Sequence, residues 1–222
     1  MIPLRDHNPT RKRPYVNFGL VLVNILVFLY EVSLGSGVEP VYYKLGVVPR
    51  DVMSAFAEYR YVEGIIPFVT LMFLHGGWLH LGGNMLYLWI FGDNVEDKLG
   101  HTRYFVFYAL CGLAAGILHV VLDPSSGIPT VGASGAISGV LGAYLVMFPR
   151  AKVLTLIPVF VFLQVAELPA LLVLGFWFVI QFFNGLVSLG YETAGMGGVA
   201  WWAHIGGFLA GLLLILPLRK YR

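Results

Sequence analysis

Long apolar stretches are the feature that most restricts what this chain can fold into. A helix that crosses a bilayer needs about 20 mostly apolar residues. Six stretches meet that condition, at 16–34, 77–95, 102–122, 133–149, 166–187 and 199–218. Hydrophobic residues make up 58% of the 222 residues and charged residues only 12%, about half the charged share of a soluble domain. The sequence therefore predicts an all-α fold, a polytopic membrane helical bundle of six transmembrane helices embedded in a lipid bilayer.

These stretches organise the chain as one membrane domain with short ends. We expect a cytoplasmic N-terminal tail over 1–15, the membrane domain over 16–218 and a cytoplasmic tail over 219–222. No small-residue cleavage site follows the first apolar stretch, so we expect it to be retained as a span rather than removed as a signal peptide. The first outer loop, about 35–76, contains amphipathic segments and is expected to fold in part on the membrane surface.

One apolar segment does not fit the six-span pattern. Residues 153–163 (VLTLIPVFVFL) are too few to cross a bilayer alone. We expect this segment to lie at the membrane interface or to lead into the fifth span. An arrangement with seven spans is the alternative.

The basic residues indicate which side of the membrane each loop occupies. With a cytoplasmic N-terminus, only Lys44, Arg50 and Arg60 lie outside. Eleven basic residues then lie inside: Arg5, Arg11, Lys12, Arg13, Lys98, Arg103, Arg150, Lys152, Arg219, Lys220 and Arg222. This excess follows the positive-inside rule and predicts cytoplasmic N- and C-termini. The net charge of +2 gives no reason to expect a nucleic-acid partner, and the compact chain favours a prokaryotic cytoplasmic membrane.

Four polar side chains fall near the beginnings of even-numbered spans. His80 and Asn84 belong to the second span, Ser134 to the fourth and His204 to the sixth. Even-numbered spans all run from outside to inside, so these residues share one depth in the outer part of the bilayer. Polar groups inside spans are costly and are candidates for function. Because three helices carry them to one depth, we predict that the four side chains meet.

The chemistry of these side chains suits peptide hydrolysis. A serine at a helix start, such as Ser134, has its Oγ beside backbone N–H groups that can stabilise an oxyanion. His204 can accept the serine proton and return it to a leaving amine. His80 and Asn84 lie four residues apart on one helix face, and their N–H donors could complete an oxyanion hole. This chemistry requires no metal and no other cofactor.

Glycines are spaced so that the fourth and sixth spans can pack closely. The helix-packing residues predicted around the site are Gly132, Gly135, Gly139, Gly207 and Gly211. The last four form two GxxxG pairs, one in each span. The first residue of the second pair lies three residues after His204, on nearly the same helical face. Packing of these faces would bring Ser134 and His204 within reach of a hydrogen bond.

Three stretches of the sequence resemble the rhomboid intramembrane serine proteases. They are HGGWLHLGGN (75–84), GASGAISG (132–139) and AHIGGFLAG (203–211), in the family's order and on the expected spans. The resemblance implies a Ser134–His204 dyad with no third acidic member, and His80 and Asn84 as the oxyanion-stabilising pair. It also implies that the substrates are membrane-anchored proteins cut near the outer membrane edge, with the fifth span and the following loop gating access.

The first loop departs from the pattern of that family. Many rhomboid proteases carry a Trp–Arg pair just before the second span, where this sequence reads IIPFVT (65–70). The neighbouring Tyr59–Arg60 lies too early to replace that pair. The shape of the first loop is therefore left open, whereas the residues expected to carry the chemistry are present.

Other polar residues have simpler interpretations. Ser138 is the rival nucleophile, but it lies one helical turn deeper, roughly 6 Å, and is expected to be a packing residue. His75 is expected to fix the structure of the loop, and His119 to lie at the membrane interface. Glu167 can pair with Lys152 near the cytoplasmic start of the fifth span.

Amides inside spans are expected to join helices. Asn24 lies in the first span, and Gln181 and Asn184 lie in the fifth. For Gln181 and Asn184 contact with substrate is the alternative. The single cysteine, Cys111, lies in an apolar stretch and is expected to be a packing residue.

Other functions would require residues or repeats that can be looked for in the sequence. A zinc protease would need an HExxH helix, which the sequence lacks, and Asp93 and Asp123 lie at opposite span ends, where they cannot form an aspartyl dyad. A small-solute transporter would be expected to have inverted repeats or broken helices with ion-binding groups near the midplane, and the sequence shows neither. The chief alternative is a catalytically silent rhomboid-like protein that binds membrane proteins and steers their folding or degradation. Such a protein has little need for both a serine and a histidine at one depth.

Overall fold

Helices make up most of the structure. The computed structural model describes residues 1–159, 162–188 and 200–218. In chain order these parts contain β1 (Ile2–Asp6), α1 (Tyr15–Ser33), α2 (Glu39–Leu45), α3 (Pro49–Ala57), α4 (Tyr61–Thr70), α5 (Trp78–Leu99), α6 (His101–Leu122), α7 (Ser134–Met147), β2 (Lys152–Val159), β3 (Phe162–Pro169), α8 (Ala170–Ser188) and α9 (Trp201–Leu218). The predicted fold class, a helical membrane bundle, is confirmed. The predicted tail 219–222 lies outside the described residues.

The lengths of the helices bear on the number of spans. Within the described residues, four helices are long and apolar enough to cross a membrane alone, α1, α6, α8 and α9. A fifth candidate combines α4 and its following turn with α5 across a bend of 81°. The apolar α7 has 14 residues, or about 21 Å, which is less than a hydrocarbon core of about 30 Å. The count of six spans and the cytoplasmic position of both termini therefore stay predictions.

The helix boundaries lie close to those predicted, with one exception. The helices for the first, second, third, fourth and sixth spans all begin within two residues of the expected position. The fifth, expected over 166–187, begins at Ala170 because the preceding residues pair in β3. A proline at 169 disfavours helical geometry at the residue before it, so the helix begins after it.

A three-stranded antiparallel sheet, not predicted from the sequence, precedes α8. Its order is β1–β2–β3, with Asp6 paired to Val153 and Lys152 paired to Pro169. The apolar segment 153–163 therefore forms β2 and the beginning of β3 and leads into α8, apart from 160–161, which lie outside the described residues. The predicted ion pair between Lys152 and Glu167 is confirmed, with an Nζ–Oε2 distance of 3.1 Å.

The helix α7 lies at the centre of the bundle and packs against α5, α6, α8 and α9. Its residues from Gly135 to Tyr144 are all buried. The close crossing of α7 and α9 depends on glycine, because a Cβ on Gly207 would overlap the carbonyl oxygen of Gly135. A Cβ on Gly211 would likewise overlap the carbonyl oxygen of Gly139. In the structure the two GxxxG faces lie directly against each other.

The long first loop folds into helices and supports the segment before α7. It contains α2, α3 and α4, so the expectation that it folds in part is confirmed. Val47 pairs with Thr130 through two backbone hydrogen bonds. The Gly132 N–H donates to the carbonyl oxygen of Leu71 over 2.9 Å. The loop therefore fixes the position of the chain immediately ahead of Ser134.

Candidate active site

Ser134 is the first residue of α7 and follows a backbone turn that requires glycine. Gly132 has a φ of +131°, a conformation that residues with a Cβ rarely adopt. The first bond of the helix runs from the N–H of Ile137 to the carbonyl of Ala133. The N–H groups of the three residues before Ile137 therefore precede the helical ladder and face the end where Ser134 lies.

Ser134 and His204 are in hydrogen-bond contact. The Ser134 Oγ lies 2.8 Å from His204 Nε2, across 70 residues of sequence. His204 is the fourth residue of α9, so the glycine crossing of α7 and α9 places the two side chains side by side. The structure thus places the two residues within hydrogen-bond reach, and their catalytic roles stay predictions.

Gln181, from α8, contacts the other nitrogen of the histidine. Its Oε1 lies 2.7 Å from His204 Nδ1, and its Nε2 donates to the carbonyl oxygen of Trp177 over 3.3 Å. As predicted, this amide joins two helices, but its partner His204 was not predicted from the sequence. The signal that could have found it was a buried amide in a span at the expected depth of the histidine.

Two tryptophans enclose the His204 ring. The Trp177 ring lies 5.9 Å from it, centre to centre, at an angle of 34°. The Trp201 ring approaches edge-on, with centres 6.2 Å apart and an angle of 87°. Neither tryptophan was predicted from the sequence to contact His204. Together they give the histidine an apolar surround on the sides that face neither Ser134 nor Gln181.

His80 lies on α5 with one nitrogen turned toward the serine. Its Nδ1 accepts a hydrogen bond from the N–H of Gly76 over 3.3 Å, so the proton of the neutral ring is on Nε2. That Nε2 lies 2.7 Å from the position that a Cβ on Gly132 would take, and this position is 3.5 Å from Ser134 Oγ. The absence of a side chain at residue 132 therefore leaves a space between a donor and the hydroxyl.

Asn84 is one turn further along α5 and is buried. Its Nδ2 has no hydrogen-bond partner among the described residues. A buried amide donor without a partner is costly. Asn84 lines a cavity of about 640 Å³ that is also lined by His80, Gly132, Ser134 and His204. The four side chains predicted to meet thus line one space large enough for a peptide segment.

Other polar residues fix the segments of chain around the site. Ser138 is buried, and its Oγ donates to the carbonyl oxygen of Ser134 over 2.6 Å, as expected of a packing residue. The His75 N–H donates to both carboxylate oxygens of Glu31 over 3.2 and 3.3 Å, which fixes the loop before α5. His119 Nε2 lies 2.8 Å from the hydroxyl of Thr130 in the segment before α7.

Metal binding has no donor set in the described parts of the chain. No group of three or more His, Cys, Asp or Glu side chains in residues 1–159, 162–188 and 200–218 is arranged to hold a metal ion. Cys111 is fully buried against Gly139, which confirms its packing role.

Comparisons with known proteins agree with this architecture. The family model of the Rhomboid domain matches residues 62–221. The chain is similar to Rhomboid protein 1, mitochondrial, of Saccharomyces cerevisiae, with 33% identity over 161 residues, 69% of this chain and 42% of that protein. It is also similar to Rhomboid protease GluP of Bacillus subtilis, with 28% identity over 208 residues, 92% of this chain and 36% of that protein.

A third relative is matched over almost the whole chain. Rhomboid-like protein 11, chloroplastic, of Arabidopsis thaliana is 25% identical over 222 residues, 98% of this chain and 70% of that protein. The chain thus spans about two fifths of the length of the yeast relative and a larger part of the plant one. The matched domain begins in α4 and contains all three stretches that resemble rhomboid proteases. The chain is therefore an integral membrane protein that belongs to the rhomboid family.

Proposed function

We propose that this chain is an intramembrane serine endopeptidase. It hydrolyses peptide bonds of membrane-anchored proteins near the outer membrane face, with Ser134 as nucleophile and His204 as base. The observation that carries the proposal is the 2.8 Å contact between Ser134 Oγ and His204 Nε2 at the wall of a cavity. The similarity to a bacterial relative named as a rhomboid protease supports it.

The first chemical step joins Ser134 to the substrate. Its Oγ attacks the carbonyl carbon of the scissile bond while His204 Nε2 takes the hydroxyl proton. A new C–O bond forms, and the electron pair of the carbonyl moves to its oxygen. The product is a tetrahedral intermediate with a negative oxygen beside an imidazolium.

The negative oxygen of that intermediate requires donors that are already in place. His80, with its proton on Nε2, and Asn84, with its unpartnered Nδ2, both line the cavity beside Ser134 and can supply two donors. The N–H of Ser134 precedes the helical ladder of α7 and can add a third donor. Fixed donors in a site that excludes water stabilise such charge strongly.

The following steps return the enzyme to its starting state. The intermediate collapses, the C–N bond breaks, and His204 gives its proton to the leaving amine. Water then attacks the acyl-serine with His204 again as base, which releases the new carboxyl end and restores the Ser134 hydroxyl. The cavity of about 640 Å³ has room for this water beside the acyl group.

Apolar side chains at the rim of the cavity favour the proposal that the substrate is itself anchored in the membrane. Leu79 lines the cavity and is almost fully exposed, and Trp78 beside it is also exposed. Apolar groups at such a rim contact lipid or an apolar substrate segment rather than water. We propose a prokaryotic cytoplasmic membrane as the location; the one bacterial relative named above agrees with it, whereas the yeast and plant relatives are named as mitochondrial and chloroplastic.

A fluorophosphonate probe tests the nucleophile without any knowledge of the substrate. We expect the probe to label purified wild-type protein in detergent through the Ser134 Oγ, and to label Ser138→Ala equally. Ser134→Ala should give no labelling, because of the two serines that line this cavity in the described residues only Ser134 has its hydroxyl beside a histidine nitrogen. Labelling that persists in Ser134→Ala would refute the assignment, and a wild-type protein that is never labelled would favour the catalytically silent alternative.

Asn84→Ala tests the oxyanion donors. We expect kcat for cleavage of a single-span substrate to fall by about 100-fold, the usual cost of one such donor, with little change in KM. The thermal unfolding midpoint in detergent should change little, because the lost Nδ2 has no partner in the described structure.

A second buried asparagine provides the matched control for this variant. The Asn24 Nδ2 donates to the Leu20 carbonyl of its own helix, remote from the cavity. Asn24→Ala should leave kcat unchanged. An equal loss of kcat in both variants would contradict an oxyanion role for Asn84.

A further inference from the structure

The contact between Gln181 and His204 gives the amide a definite orientation. Its Nε2 donates to the carbonyl oxygen of Trp177, one turn earlier on α8, over 3.3 Å. A carbonyl can only accept, so the nitrogen of the amide occupies that side and Oε1 faces His204 Nδ1 at 2.7 Å. Gln181 is only 5% exposed, so water does not compete for these bonds.

This orientation selects the tautomer of the histidine. Because Oε1 is an acceptor, His204 Nδ1 must carry the proton. Nε2 is then unprotonated and can accept the hydrogen bond of the Ser134 hydroxyl. The opposite tautomer would place a proton on Nε2, facing Ser134, and leave Nδ1 and Oε1 as two acceptors at 2.7 Å. The amide therefore stabilises the one neutral form of His204 that can act as a base.

The same contact affects the charged form of His204. When Nε2 takes the serine proton, the positive charge spreads over the ring and makes the Nδ1–H a stronger donor. A fixed acceptor at 2.7 Å then gains energy at the moment when the charge forms. In many such sites a third group orients the base. Here the neutral amide of Gln181 occupies the position of that third group.

We propose that Gln181 is a positioning residue that holds His204 in the Nδ1–H tautomer and stabilises its protonated form. This inference rests on the proposed function, since it assigns Gln181 a part in the same reaction. It also makes α8 a component of the active site, because the acceptor is on α8 and the base is on α9. The competing explanation is that the amide only joins these two helices.

Two substitutions at residue 181 separate these explanations. Gln181→Met keeps the length of the side chain and its packing but removes the acceptor. Gln181→Glu keeps an oxygen acceptor facing Nδ1, whether the carboxyl is ionised or neutral. We expect kcat in Gln181→Met to fall by about 10- to 100-fold, the range for losing a hydrogen bond to a charged group, with KM unchanged. Gln181→Glu should restore most of that loss.

If Gln181 only joins the two helices, the order of activity of the two variants should be reversed. Methionine packs well in a helix interface, whereas a carboxyl at this buried position is costly. Gln181→Met would then be as active as wild type, and Gln181→Glu would lose folded protein. That order would overturn the inference. The matched control is Asn24→Met, which removes another buried amide by the same chemistry, one whose Nδ2 donates to the Leu20 carbonyl of its own helix, and it is expected to leave kcat unchanged.

Labelling by a fluorophosphonate probe provides a readout that does not depend on substrate entry. We expect the second-order rate of Ser134 labelling to fall in Gln181→Met by the same factor as kcat and to recover in Gln181→Glu. If wild type cleaves and is labelled at Ser134 but Gln181→Met labels at the same rate, only the positioning role is refuted. If wild type neither cleaves nor is labelled, the proposed function fails and this inference fails with it.

Discussion

Ser134→Ala and His204→Ala are each expected to bring cleavage of a single-span substrate below detection. Loss of a nucleophile or its base in a serine protease lowers kcat on the order of a millionfold. The two side chains share one hydrogen bond, so either change removes the same activated hydroxyl. The double variant should therefore be no worse than either single variant. The assay is cleavage of a fluorescent single-span substrate by purified protein in liposomes.

The fold should survive both substitutions. Each variant removes polar atoms at the wall of a cavity rather than in the packed centre of the bundle, so the thermal unfolding midpoint in detergent should stay close to that of wild type. Ser138→Ala serves as the matched control, because its hydroxyl only donates to the Ser134 carbonyl, and it should retain activity. Cleavage at the same bond by Ser134→Ala would show that the proposed mechanism is wrong.

Gly207→Ala is the second change with a large expected effect. A Cβ at this position overlaps the carbonyl oxygen of Gly135, so α7 and α9 must move apart. Overpacking of this kind costs about 3 kcal/mol. The displacement also separates Ser134 from His204, and a misplacement of about 1 Å can cost on the order of 100-fold in rate. Chemical unfolding in mixed micelles and the cleavage rate per folded molecule measure the two effects.

Gly19→Ala is the matched control for that change. Gly19 lies on α1 with no atom within 4 Å of the position that its Cβ would take. Alanine is favoured over glycine in a helix by about 1 kcal/mol, so this variant should be at least as stable as wild type and fully active. A Gly207→Ala protein with wild-type stability and rate would contradict the close crossing of the two helices.

The sequence was sufficient to predict the elements that carry the dyad. Span length and the direction of even-numbered spans placed Ser134 and His204 at one depth, and the two GxxxG pairs indicated how closely their helices approach. Each of these predictions depends on a local pattern along one helix, which the sequence alone displays. The contacts that the structure adds depend instead on how different helices are rotated against each other.

Gln181 and Trp177 make contacts that depend on the relative rotation of two helices. Both lie on one face of α8 and contact His204, yet nothing in the sequence of α8 indicates which face turns toward α9. A buried amide in a span is equally compatible with contact to a substrate or to any neighbouring helix. Only the relative rotation of α8 and α9 selects His204 as its partner.

The three-stranded sheet could not be predicted for a different reason. An apolar run such as 153–163 fits a buried strand, an interfacial segment or the start of a span, and periodicity does not distinguish among them. Its pairing partners are Ile2–Asp6 and residues 162–169, the first of which is about 150 residues away in sequence. Pairing over such a separation leaves no local pattern by which it could be predicted.

The glycine crossing of α7 and α9 separates two requirements that a membrane enzyme must meet. The outer faces of α1, α6 and α8 carry exposed apolar side chains, and membrane helices in general accommodate the thickness of the surrounding lipid by tilting. The distance between the reacting atoms is set instead by backbone against backbone, where no flexible side chain can lengthen or shorten the gap. Contact with the lipid thus belongs to the outer apolar faces of the helices, including that of α9, whereas the alignment of Ser134 and His204 depends on the inner glycine face of α9 against α7.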